Sequence, residues 1–116
     1  MATYEGGCHC GAVAYTVEGE VEKLYECNCS ICSKRAALHW FVPRSSFTLK
    51  TPDENAGTYT FNKHAIRHRF CKTCGVSAWS EGEKPGGGEM TAINARCLEG
   101  FDRTGVEIVP VDGRSF

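Results

Sequence analysis

Eight cysteines in a chain of 116 residues fall into three tight clusters and one outlier, and this spacing limits what the chain can become more than any other feature. The clusters are Cys8-His9-Cys10-Gly11, Cys27-Asn28-Cys29-Ser30-Ile31-Cys32 and Cys71-Lys72-Thr73-Cys74-Gly75, with Cys97 alone in Ala95-Arg96-Cys97-Leu98. A domain this small buries only about two-thirds of the surface its unfolded chain exposes, so its core is thin and gains much from a disulfide or metal staple. The N-terminus, Met1-Ala2-Thr3-Tyr4-Glu5-Gly6-Gly7, has neither the basic region nor the apolar stretch of an export signal, and no apolar run is long enough to span a bilayer. A reducing, cytoplasmic setting is therefore expected, in which cysteines at these spacings serve as metal ligands rather than as cystines.

The C-x-x-C-G turn at Cys71–Gly75 brings two sulfurs to adjacent corners of a tetrahedron, and Gly75 permits the turn that aims backbone N–H groups at them. Cys8 and Cys10 lie on the same side of an extended segment between Gly7 and Gly11, and supply the other half of a closed four-cysteine site. Such a site ties the start of the chain to its middle, so Cys8, Cys10, Cys71 and Cys74 read as a structural zinc centre. Cys27, Cys29 and Cys32 supply three thiolates and leave tetrahedral zinc one position short. An open position is what catalytic zinc needs; the alternative is a protein ligand, Cys97 or one of His9, His39, His64 and His68, that closes the site as a second staple. Taken alone, Cys97 reads as a buried small hydrophobe, and the four histidines read as surface groups or as supports for the metal ligands.

Short alternating apolar runs at 13–17, 40–42, 47–49, 58–61, 76–79 and 106–109 predict strands, with turn residues between them. No segment keeps a 3.6-residue apolar period over ten or more residues, and one brief helical turn is expected at Ser33–Ala37. The expectation is one mainly β domain over residues 1–116, built of short antiparallel sheets and stapled by zinc. Residues 81–88 read as a mobile loop or as a lid over a site. The formal net charge is -1 with scattered basic residues, so nucleic acid and membrane are not expected partners. Lys34, Arg35, Arg67 and Arg69 lie near the clusters in sequence and read either as solvated surface or as groups that hold substrate carboxylates.

Four blocks in order carry a family resemblance: Gly7-Cys8-His9-Cys10-Gly11-Ala12-Val13, Cys27 through Lys34, Phe70-Cys71-Lys72-Thr73-Cys74-Gly75-Val76, and Ile93 through Leu98. Together they resemble the glutathione-dependent formaldehyde-activating enzyme family, which includes centromere protein V, from about Gly6 to Phe101. The resemblance implies a β-tent-like zinc fold, a structural zinc at Cys8, Cys10, Cys71 and Cys74, and a catalytic zinc at Cys27, Cys29 and Cys32. It also implies carbon–sulfur lyase chemistry, the joining of glutathione and formaldehyde as S-(hydroxymethyl)glutathione. On this reading the second zinc takes the substrate thiol as its fourth ligand and stabilises it as thiolate, poised to attack a small aldehyde. The competing reading is a non-catalytic zinc-binding β module that binds a protein partner or senses metal or redox state.

Overall fold

A computed structural model describes residues 2–61, 65–83 and 88–113. Among the described residues ten strands carry the fold: β1 (Thr3–Gly7), β2 (Ala14–Glu18), β3 (Lys23–Cys27), β4 (His39–Pro43), β5 (Phe47–Leu49), β6 (Ala56–Tyr59), β7 (Arg67–Cys71), β8 (Ser77–Glu83), β9 (Glu89–Asn94) and β10 (Glu107–Val111). They form two sheets, one ordered β1-β2-β5 and a larger one ordered β10-β3-β4-β9-β8-β7-β6. The fold is mainly β, as the alternating pattern predicts. Pairing is antiparallel except at one edge, where β10 runs parallel to β3 and brings Val111 opposite Cys27.

Register gives the large sheet two unlike faces, because successive side chains point to opposite sides of a strand. On the inner face Trp40 stands opposite Ile93, Ile93 opposite Trp79, and Trp79 opposite Arg69. The small sheet packs there: Tyr15 and Phe47 stack near Trp79 with ring centroids 6.0 and 5.2 Å away, and Tyr4 meets Trp40 edge-on at 5.6 Å. Val13, Val17, Leu24, Leu38 and Ile93 complete a core in which each is at most 1% exposed. On the outer face the row one residue along is Phe41, Ala92, Ser80, His68 and Tyr59. Its two end residues are the exposed ones, at 46% and 49%.

Four strands escape the alternation argument: β1, β3, β7 and β9. Thr3–Gly7 ends in two glycines and reads as a turn, and Lys23–Cys27 buries only Leu24. Arg67–Cys71, whose two arginines read either as solvated surface or as carboxylate-holding groups, lies between β6 and β8 with His68 and Arg69 both buried. Arg69 is tolerated there because every side of its guanidinium is met. It donates to Asp53 Oδ1, Glu81 Oε1 and the carbonyls of Gly57 and Ala56, and lies over the Trp79 ring. Arg67 pairs with Glu81 and Glu89 with its side chain still 42% exposed, and the half-buried Arg35 donates to Ser77 Oγ at 2.8 Å, so solvated surface describes Lys34 and part of Arg67 but neither Arg35 nor Arg69.

The helical turn is α1 (Cys32–Arg35), one residue earlier than the Ser33–Ala37 expected, so the last cysteine of its cluster is its first residue. Ala36 ends it in the left-handed region at φ 55°, its N–H bonded to the Cys32 carbonyl. Of the predicted loop at 81–88, residues 81–83 extend β8, and 84–87 lie outside the described residues, as does His64.

Candidate metal centres

The loop between β1 and β2 carries Cys8 and Cys10, and the turn from β7 into β8 carries Cys71 and Cys74. Their four sulfurs all lie within 4.8 Å of one another. Cys8 Sγ is 3.7 Å from Cys10 Sγ, which is 3.6 Å from Cys71 Sγ. A tetrahedron with metal–sulfur bonds of about 2.3 Å has edges of about 3.8 Å, whereas a disulfide needs about 2.05 Å. The spacing fits ligands around one ion, and all eight cysteines are free thiols.

Local backbone prepares these sulfurs for negative charge. Val13 N–H donates to Cys8 Sγ at 3.3 Å, and Thr73 and Cys74 N–H donate to Cys71 Sγ at 3.3 and 3.4 Å. The last two bonds require the tight turn that Gly75 closes at φ 82°. The N–H groups of Val76 and Cys10 hold the Cys74 thiol down to about 6, while Cys10, although favoured by the Ala12 N–H, is pushed up to about 11 by Cys71 and by burial. Neighbouring thiols that shift in opposite directions, Cys71 and Cys74 down and Cys10 up, cannot all ionise together without a cation among them.

Asn55, which sequence reasoning missed, fastens the two loops together. Its side-chain amide donates to the Ala12 carbonyl at 2.8 Å, and its own carbonyl accepts from Lys72 N–H at 3.1 Å. The only sequence signal was an Asx-type residue at the end of a turn, a role many such residues fill without touching a site.

The second set sits where β3 ends and α1 begins. Cys27, Cys29 and Cys32 place their sulfurs within 4.8 Å of one another. Burial raises the Cys29 thiol, but the Cys32 N–H and the neighbouring Cys32 and Cys27 sulfurs outweigh it and leave it lowered; Cys32 is pushed up, chiefly by burial. Gly113, just after β10, lies so close that an added Cβ would collide with Cys27 Sγ and stand 2.9 Å from Cys29 Cβ. Cys27 and Cys32 line an open cleft of about 560 Å³ with Glu26, Ser33, Val111 and Asp112 on its walls.

Three residues that the sequence offered as a fourth ligand fall elsewhere. Cys97 belongs to neither set; its thiol faces the Ser77 carbonyl at 3.8 Å and is pushed up to about 11 by burial, with Cys8 and Cys74 as the nearby charges. His9 is exposed, and His68 is buried on the outer sheet face with its ring stacked on Phe61 at 5.5 Å. His39 is the exception. Its Nε2 lies 3.2 Å from Cys32 Sγ, and burial pushes its pKa down.

The molecule is thus a mainly β protein with two cysteine sets that can each hold a metal ion. The family model of the glutathione-dependent formaldehyde-activating enzymes matches residues 3–108, and the chain belongs to that family. Membership supports a glutathione-related, formaldehyde-activating function. The chain is also similar to a protein of Rhodobacter sphaeroides whose crystal structure matches it with a TM-score of 0.78 at 30% identity, covering 91% of this chain and 97% of that one. Among the described residues no helix is long and apolar enough to cross a membrane.

Proposed function

We propose that this chain is a single-domain cytoplasmic zinc enzyme of the carbon–sulfur lyase type that joins a small thiol, such as glutathione, to formaldehyde. In the reaction the thiol sulfur bonds to the aldehyde carbon, the carbonyl π pair moves to oxygen, and that oxygen takes up a proton as the thiol gives one up. The observation that carries this reading is the inequality of the two cysteine sets. One offers four sulfurs, the other three beside an open cleft.

Both donor sets suit Zn²⁺, which favours tetrahedral thiolate coordination. Cys8, Cys10, Cys71 and Cys74 would hold a structural ion, and Cys27, Cys29 and Cys32 a catalytic one. When bound at the second set, zinc supplies positive charge that favours the thiolate form of a substrate sulfur at neutral pH. The chain's own residues do the rest. The three cysteines leave one side of their set unfilled, the walls of the cleft admit a thiol of glutathione size, and Gly113 keeps the flank beside Cys27 and Cys29 free of any side chain.

The rival reading, a closed zinc module, needs a fourth protein ligand, and His39 is the one at hand. In a tetrahedral site of three sulfurs and one nitrogen, each sulfur lies about 3.6 Å from the nitrogen. His39 Nε2 is nearer than that to Cys32, at 3.2 Å, and stands outside the group whose donor atoms all lie within 4.8 Å of one another. That pattern favours a hydrogen bond to one sulfur over a fourth ligand, and so supports the reading in which solute takes the fourth position.

The test is exchange NMR of formaldehyde with glutathione and with other thiols, with and without protein, because the uncatalysed reaction proceeds unaided. A rate above background that vanishes in Cys29→Ser supports the enzyme. No excess with any thiol, in protein holding two zinc ions, supports the module.

A further inference from the structure

We propose that His39 is the positioning residue of the second metal centre, holding Cys32 in its ligand orientation by donating Nε2–H to the cysteine sulfur. This rests on reading Cys27, Cys29 and Cys32 as a metal site and adds to it a residue outside the three sulfurs. The two partners are anchored very differently. Cys32 opens a four-residue helix with no buried residue and no side-chain cap at its start, so local structure alone does little to fix where its sulfur points. His39 opens a central strand, paired to Tyr25 of β3 on one side and Asn94 of β9 on the other. Its ring also stacks on Phe41, with centroids 5.9 Å apart and planes 26° apart. The sheet fixes the imidazole, and the imidazole fixes the sulfur.

The direction of the bond follows from the chemistry of each atom. A metal-bound cysteine is a thiolate and can only accept, so Nε2 carries the hydrogen and Nδ1 is a bare acceptor. Among the described residues Nδ1 is buried without a protein partner. An under-satisfied acceptor costs less than an orphaned N–H, which is what the reverse arrangement, thiol donating to Nε2, would bury. A small cavity of about 20 Å³ lined by His39, Arg35, His68 and Ser80 is large enough to offer Nδ1 a water.

Three substitutions test the assignment. His39→Phe removes the donor and keeps the ring; His39→Gln carries an amide N–H to about the reach of Nε2; His39→Asn reaches only as far as Nδ1. The readouts are metal per chain, the rate of zinc transfer to a chromogenic chelator, and the thiolate-to-metal absorption of the Co²⁺-substituted protein, with circular dichroism as the check on folding. Supports of this kind change metal affinity by about 10–100-fold.

His39→Phe should therefore release one of its two zinc ions about 10–100-fold faster and the other at the wild-type rate, with a shifted Co²⁺ absorption. Gln should restore retention and Asn should not. Wild-type release in His39→Phe, equal acceleration of both ions, or rescue by Asn as complete as by Gln would overturn the proposal. If His39→Phe does not fold, the Gln and Asn pair decides alone. Wild-type protein holding one zinc would overturn the two-centre reading and this inference together, whereas two zinc ions without catalysis would overturn only the enzymatic reading.

Discussion

The two cysteine sets differ first in how far apart in the chain their members lie. Cys10 and Cys71 are 61 residues apart and join the small sheet's first loop to the far side of the large sheet, whereas Cys27 and Cys32 come from one short loop. A link between distant segments restrains the unfolded chain and adds directly to folding free energy; a link within one loop restrains little. On the proposed reading the closed set holds the fold, and the open set borrows its rigidity from the sheet beside it. Stability and chemistry would then be separated by sequence distance.

The most severe way to break that distinction is Cys74→Ser. Structural zinc in small domains supplies on the order of 10 kcal/mol of folding free energy, so this variant should lose cooperative folding at 37 °C or melt at least about 15 °C lower, as read by circular dichroism. Unchanged melting would remove the structural role. Cys29→Ser should instead take bound zinc from two ions toward one and lower any catalysed adduct formation at least about 100-fold, with melting moved by only a few degrees. Elemental analysis that finds both ions gone would mean the sets are not independent.

Asn55→Ala sharpens the comparison further, because it removes the side-chain bond from Asn55 to the loop that carries Cys8 and Cys10 without touching a sulfur. A cost of about 1–2 kcal/mol is expected, visible as a melting shift and faster zinc release confined to that set. The mildest test concerns the sheet face that carries His39. Burial, with Arg35 and His39 nearby, lowers His68 from the ordinary 6.5 to about 4. The unfolded chain thus binds more protons than the folded one between those values, and His68 contributes stability above pH 6.5 that fades as pH falls toward 4. His68→Phe should flatten that part of the acid-unfolding curve.

How much of this was legible depended on whether the information was local. Cys-x-x-Cys-Gly and the three-cysteine run specify sulfur positions through a few adjacent dihedral angles, so both sets could be written down before any fold was known. The strands rich in Val, Tyr, Trp and Phe were equally plain. Arg67–Cys71 was not, because two arginines and a histidine say surface until the carboxylates of Asp53 and Glu81 arrive from other segments. Nothing near His39 in sequence predicts contact with Cys32; the contact exists because Tyr25 pairs with His39 and turns the strand back beneath the loop. Gly113 was invisible for the same reason, since its neighbours come from a parallel pairing across most of the chain.

That parallel edge has a consequence for how the molecule comes into being. A ribosome has delivered every sulfur of the closed set once Cys74 emerges, so an ion held there would clasp β1–β2 to β7 while synthesis continues. The open set has its three thiols far earlier but must wait for β10 to slide in beside β3 and seat Gly113 against Cys27. Birth order thus puts the four-sulfur scaffold first and leaves the flank of the three-sulfur set unfinished until residues 107–113 have emerged.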